Sequence, residues 1–183
     1  MHPIAVSRNL EQEVAELYAR EAAGLTRYAA TVAGDRDAAC DAVQEAFFRY
    51  FLCRSAGQAI ASPKAWLFRV VRNYLLDQRK AASRNTAGLE SFRHLTSPAP
   101  TAGAADLLDG LAGIGLSPRE IECLRLRIED LRYDEIAAVM GLESGTVGAL
   151  LSRAHGKIRK AVNADSRRAF AATLTGEKRY ASG

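Results

Sequence analysis

Two groups of side chains in this sequence have types and spacings suited to chemistry, and in both the chemistry is binding. On a helical wheel at 100° per residue, Arg69, Arg72, Asn73, Arg79 and Lys80 gather on one arc of about 120°, with Trp66 at its edge. Four cations, one amide and a flat ring suit a surface that grips a phosphate backbone and reads or stacks a base. The bland alternative is a solvated basic face with a core tryptophan. The second group lies near the C-terminus. There Gly145, Gly148, Ala149, Ser152, Gly156 and Arg159 share one face, flanked by Arg153 and Lys160. Small residues let a helix lie close to DNA while cations meet phosphates. The same geometry also occurs in bundles that never touch DNA.

Other chemistries lack material. No Ser/His/Asp grouping, phosphate loop or carboxylate–metal cluster stands out, and only three histidines are present, His2, His94 and His155. Cys40, Cys53 and Cys123 are odd in number and have no CxxC spacing. That argues against a disulfide framework or zinc site and for a reducing cytoplasm. The expectation is a non-enzyme with no metal or cofactor. The longest stretch without Asp, Glu, Lys or Arg, His94 to Ala105, is short, polar and carries two prolines, so it cannot insert in a membrane. No apolar run of the signal-peptide kind opens the chain.

These groups need helices to position them. Residues 10–33 read as one helix or a broken pair, with Leu10, Val14, Leu17, Leu25, Tyr28 and Val32 as apolar markers, closed by Gly34-Asp35. Residues 36–53 form a second helix. Val43, Phe47, Tyr50 and Phe51 face one way, and Asp41, Glu45, Phe48 and Leu52 the other. That second face is either a protein-binding surface or part of a helix buried on both sides. Ser55 to Ala61 reads as a loop. Ser62-Pro63 then opens a third helix, with Ser as N-cap and Pro first, which runs to about Lys80 with Leu67, Val70, Val71, Tyr74 and Leu75 buried.

Composition changes after Ala81. The segment HLTSPAPTAGAA reads as a flexible linker, and 106–111 as a short helix. Ser117-Pro118 starts a helix again, with Glu120 placed for a capping box. Helices follow at about 118–129, 132–140 and 144–162. The last two have helix-turn-helix layout. Ile136, Ala137 and Met140 are buried on the first. Gly141 takes positive φ at the turn, and Ser144 caps the second. Val147, Leu151, Ala154 and Ile158 form the second helix's inward face. The basic tail from 164 to 183 frays. The fold class is all-α: two small helical domains, 8–83 and 105–163, joined by a linker at 84–104. The chain of 183 residues carries a net charge of +4, too weak an excess to establish a nucleic-acid partner by itself.

The segments DAVQEAFFRYF, SPKAWLFRVVRNYLLDQRK and LSPREIECLRLRIEDLRYDEIAAVMGLESGTVGALLSRAHGKI resemble successive signatures of the sigma-70 family, in its short, two-domain extracytoplasmic-function (ECF) form. The resemblance covers about residues 10–162 and keeps order and spacing. It implies a transcription initiation factor that binds core RNA polymerase, directs it to minus-10 and minus-35 promoter elements and assists melting. By match to the DxxQE signature, Asp41, Gln44, Glu45 and Arg49, with Phe48 beside them, would meet the β′ clamp helices. Asn73 would read an unstacked minus-10 base, with Trp66, Arg69, Arg72, Arg79 and Lys80 around it and the loop Ser55–Ala61 completing the pocket. The helix-turn-helix would meet the β flap and the minus-35 element, through Ser144, Thr146, Gly148, Ser152, Arg153 and Lys157. Family members often carry GTVKSRLSRAR where this chain has GTVGALLSRAH. Gly148, Ala149 and Leu150 thus remove two cations and a hydroxyl from the reading end, which shifts minus-35 recognition toward phosphates and shape. An anti-sigma factor is the implied inhibitory partner. The rival reading is a free-standing helix-turn-helix regulator acting without polymerase, and a further one is a pure interaction protein.

Overall fold

The computed structural model describes residues 3–86 and 114–177, with side chains for 9–82 and 114–164. The expected short helix at 106–111 and most of the expected linker lie outside the described residues. All described regular structure is helical: α1 (Pro3–Ala33), α2 (Arg36–Ser55), α3 (Pro63–Thr86), α4 (Pro118–Ile128), α5 (Tyr133–Met140) and α6 (Ser144–Glu177).

The first helix is unbroken. Leu17, Leu25, Tyr28 and Val32 recur at helical spacing and are buried, so tertiary packing holds the segment as one helix. Gly34, at φ 73°, ends it. Asp35 then caps α2 by accepting the Ala38 N–H at 2.9 Å. One side of α2, made of Ala39, Ala42, Val43, Ala46, Phe47 and Tyr50, is buried, and α1, α2 and α3 pack together. In α3 the buried stripe is Ala65, Leu67, Phe68, Val71 and Leu75, while Val70 and Tyr74 are only half-buried. The stripe is therefore rotated toward Phe68 from the sequence reading. The helix also continues six residues past Lys80, through residues of ordinary helix propensity with no Pro or Gly.

In the C-terminal half, Ser117 and Glu120 make the capping box. Ser117 N–H donates to Glu120 Oε2 at 2.7 Å, and Glu120 N–H to Ser117 Oγ at 3.3 Å. Gly141 adopts φ 67° between α5 and α6, as the turn requires. The third helix of this half starts on Ser144 itself, so Ser144 is not the cap; the Glu143 carbonyl accepts the amides of Thr146 and Val147. Nor does the tail fray at Asn163. The helix runs on to Glu177 through ADSRRAFAATL, a stretch rich in alanine and arginine with no helix breaker.

The two halves do not stand apart. Their buried apolar residues form one continuous cluster from Leu17 to Ala154, and α3 packs against α5. No helix among the described residues is long and apolar enough to cross a membrane.

Candidate nucleic-acid and protein interfaces

The outward face of α3 is built by the stripe beneath it. With Leu67, Val71 and Leu75 in the core, Arg69, Asn73, Arg79 and Lys80 are exposed. Lys80 Nζ lies 3.5 Å from Asp77 Oδ1, and Arg79 Nη2 donates to the Val32 carbonyl. Trp66 is half-buried, edge-on to Tyr50 with centroids 5.8 Å apart. The Tyr50 hydroxyl donates to Glu13 at 2.8 Å, and Arg54 holds the same carboxylate through Nε at 2.9 Å and Nη2 at 3.1 Å. Those bonds, Arg54's first, keep the Glu13 carboxyl below its ordinary range. Burial, then the Glu13 bond, pushes the Tyr50 phenol up to about 12. Arg54 Nη1 also donates to the Gln58 carbonyl at 2.9 Å. One arginine thus ties α1, α2 and the following loop together beside Trp66. Arg72 is the exception on this arc. Its guanidinium is committed to Glu122 of α4, Nε to Oε1 at 2.7 Å.

On α2 the alternatives left by the sequence are decided by exposure. Phe48 is 58% exposed and Leu52 49%, so the helix is not buried on both sides. Asp41, Gln44 and Arg49 are exposed and Glu45 half-buried, with Arg49 Nε 2.6 Å from Glu45 Oε1. Asp41, Gln44, Glu45 and Phe48 line one shallow concavity with Tyr74 of α3. These apolar side chains stand in water among carboxylates and lie outside the core. Tyr74 and Leu52 extend this surface. Leu52 stands on the outward face, as the sequence pattern expects, whereas Tyr74, expected in the core, is half-buried at this surface.

In the helix-turn-helix, Ser144, Thr146, Ser152 and Arg153 are exposed and Lys157 half-buried. Both cations lean toward Glu120: Lys157 Nζ lies 2.8 Å from Oε2, and Arg153 Nε 3.8 Å from Oε1. The Lys157 bond, then the Ser117 amide, lowers the Glu120 carboxyl to about 2. Lys157 also donates to the Gly115 carbonyl at 2.9 Å. A groove runs between α4 and α6, lined by Ser117, Pro118, Arg119, Thr146, Arg153 and Lys157 among others. Arg119, exposed along it, is a cation that the sequence pattern does not mark. At the reading end, Leu150 is only 5% exposed. It belongs to the core, so the departure at 148–150 removes at most one cation and one hydroxyl from the surface. Gly148 is half-buried because the Tyr133 ring lies 3.8 Å from where its Cβ would stand.

Comparison with known proteins matches this layout in chain order. Residues 17–85 match the family "Sigma-70 region 2", and residues 115–158 match "Sigma-70, region 4". The chain is 32% identical over 151 residues to the ECF RNA polymerase sigma factor SigL of Mycobacterium tuberculosis, covering 78% of this chain and 83% of that one. The chain belongs to the ECF group of the sigma-70 family. It is a transcription initiation factor. Its fold is shared with the sigma factor RpoE, solved in complex with the anti-sigma factor NepR from Bartonella quintana. That likeness has a TM-score of 0.64 at 24% identity and covers 86% of this chain and 99% of that one. CnrH, solved with the cytosolic domain of CnrY, aligns with a TM-score of 0.57 at 22% identity over 88% of this chain and 97% of its own. Within this sigma factor, α1–α3 carry the region 2 match, and α4 to the middle of α6 carry region 4.

Proposed function

We propose that the exposed face of α2 docks on the β′ clamp helices of core RNA polymerase, and that α3 with its preceding loop holds the melted minus-10 strand. Phe48 and Leu52 supply apolar area on α2, while Asp41, Gln44, Glu45 and Arg49 fix the register. Asn73 reads an unstacked base, Trp66 stands beside it, and Arg69, Arg79 and Lys80 follow the backbone. The helix-turn-helix meets the β flap and the minus-35 duplex. Thr146, Arg153 and Lys157 line the groove, with Ser144, Gly148 and Ser152 as the further contacts. With little polar material at 148–150, minus-35 recognition rests mainly on phosphates and DNA shape. The factor works in the cytoplasm by binding rather than catalysis, without cofactor or metal, through domains at 8–83 and 105–163. An anti-sigma factor covers its docking faces, in keeping with the solved NepR complex of the similar RpoE.

The observation that carries this reading is the exposure of Phe48 and Leu52 beside Asp41, Gln44 and Glu45, a surface with no role in the chain's own core. Co-elution with core polymerase tests it. The wild type elutes as a complex that melts promoter DNA, read by permanganate reactivity of unpaired thymines. The Phe48→Ala/Leu52→Ala variant stays free. A double variant that binds core as tightly as wild type would move the docking site elsewhere, and DNA melting without core would favour a free-standing regulator.

A further inference from the structure

Arg54 stands in the last turn of α2, where the chain leaves the helix for the loop before α3. The helix ends on Gly57, at φ 78°. The Gly57 N–H donates to the Arg54 carbonyl and the Gln58 N–H to the Cys53 carbonyl, both at 3.0 Å. The Arg54 side chain reaches over this turn, and its Nη1 donates to the Gln58 carbonyl. Gln58, though exposed, is thus held at both of its backbone groups. Two residues on, Ile60 packs against the core. The Ser62 carbonyl then accepts the Trp66 N–H at 2.9 Å as α3 begins.

What holds Arg54 is Glu13 of α1, which takes Nε and Nη2 on its two oxygens. The oxygen that accepts Nε also accepts the Tyr50 hydroxyl. Tyr50 is only 1% exposed, so this acceptor matters to a buried donor. Tyr50 in turn lies edge-on to Trp66. One carboxylate therefore reaches both the loop, through Arg54, and the ring, through Tyr50. Glu13 precedes the stretch that matches the region 2 family, residues 17–85, so the family match does not mark it.

We propose that Glu13 and Arg54 are positioning residues for strand capture: their pair fixes the loop at Gln58 and, through Tyr50, the Trp66 ring in the arrangement that receives the unstacked minus-10 base before DNA arrives. An ordered site loses less freedom when its ligand binds, so the same contacts give tighter capture. A pair as open to solvent as Arg54 with Glu13 adds little to folding, so it can be weakened without unfolding the domain. The proposal rests on the reading of α3 and its loop given above.

The test uses the holoenzyme with core polymerase and the labelled, single-stranded minus-10 segment of a promoter it transcribes. The strand is intact or has one base removed, at each position in turn, and fluorescence anisotropy reads affinity. In wild type, removal of the captured base is expected to weaken binding about tenfold, as for one stacked base. Arg54→Lys keeps a cation for Glu13, but a single ammonium lacks the fork that joins Glu13 to the Gln58 carbonyl. It is expected to keep the thermal midpoint, core affinity and affinity for the base-less strand, while affinity for the intact strand falls to that same level. Glu13→Gln, changed on the other helix and retaining an acceptor for Tyr50, is expected to act in the same direction, and it serves if Arg54→Lys does not fold. Asn73→Ala/Arg54→Lys should lose no more than Asn73→Ala alone, since both act on one base. Folded Arg54→Lys and Glu13→Gln holoenzymes that keep the wild-type penalty for base removal would overturn the proposal. Equal weakening of intact and base-less strands would overturn it as well, being the mark of a merely structural pair. A wild type indifferent to every base removal would instead overturn the reading of α3, and the positioning role with it.

Discussion

At the residue scale, Glu120 sets much of the charge pattern of the C-terminal half. It is buried, closes the Ser117 capping box and receives Lys157 and Arg153 from the reading helix. Its carboxyl is lowered to about 2, by Lys157 first. A depressed carboxylate contributes stability that is present above its ordinary pKa and is lost as pH falls from there toward 2. The wild-type denaturation midpoint is thus expected to fall more steeply between pH 5 and pH 2 than that of Glu120→Gln; equal slopes would assign the acid loss to other groups. On α3, Asn73 is exposed and contributes nothing to the core. Asn73→Ala is expected to keep the thermal midpoint and core affinity while promoter opening falls about tenfold or more, as for loss of one specific base contact worth ~1–3 kcal/mol. Opening assays on one promoter check this.

The start of α4 and the turns at Gly34 and Gly141 were the most legible elements. Ser117-Pro118 with Glu120, Asp35 after Gly34, and Gly141 each use a local hydrogen bond or a backbone angle that the residue type itself supplies. They are visible without tertiary context. Two glycines of one domain now lead to opposite expectations. Gly141 stands at φ 67°, so Gly141→Ala costs about 1–2 kcal/mol through left-handed strain. Gly156 lies within α6 with open space around it, so Gly156→Ala gains about 1 kcal/mol of helix propensity. Thermal melts of the two variants should move in opposite directions. Less legible was which apolar residue turns inward. Phe68 and Leu150 are core, whereas the wheel placed Tyr74 in the core of α3 and the resemblance counted Leu150 at the reading end. A wheel gives the angle between residues but not where the neighbouring helix lies, and α3 has neighbours in both halves. The extension of α6 to Glu177 escaped because a polar, basic composition reads as a tail although its residues are good helix formers.

For the molecule as a whole, the sequence showed two helical units and the order of their faces, and family membership agrees with both. It did not show that the units pack against each other. Arg72 looked like one more cation on a nucleic-acid arc; only the fold reveals Glu122 against it, fifty positions along the chain. No local periodicity encodes a pairing at that separation. The charge total of +4 is similarly uninformative until its placement is known: Arg69, Arg79 and Lys80 lie on the exposed side of α3, while Arg72 is paired with Glu122 and Lys157 with Glu120. Because the ion pairs between the halves are partly solvent-exposed, raising salt screens them, and the radius of gyration of the wild type is expected to grow from 50 mM to 500 mM salt. A salt-independent radius would mean that apolar packing, not the ion pairs, holds the halves together.

Run-off transcription with purified core RNA polymerase on genomic fragments tests the central claim most directly. The account predicts discrete promoter-specific transcripts with the wild-type chain, at least tenfold fewer with Asn73→Ala, and none above background with Phe48→Ala/Leu52→Ala, all three proteins being equally folded. A folded wild-type chain, free of any inhibitor, that gives core polymerase no promoter-specific start on any fragment would contradict it.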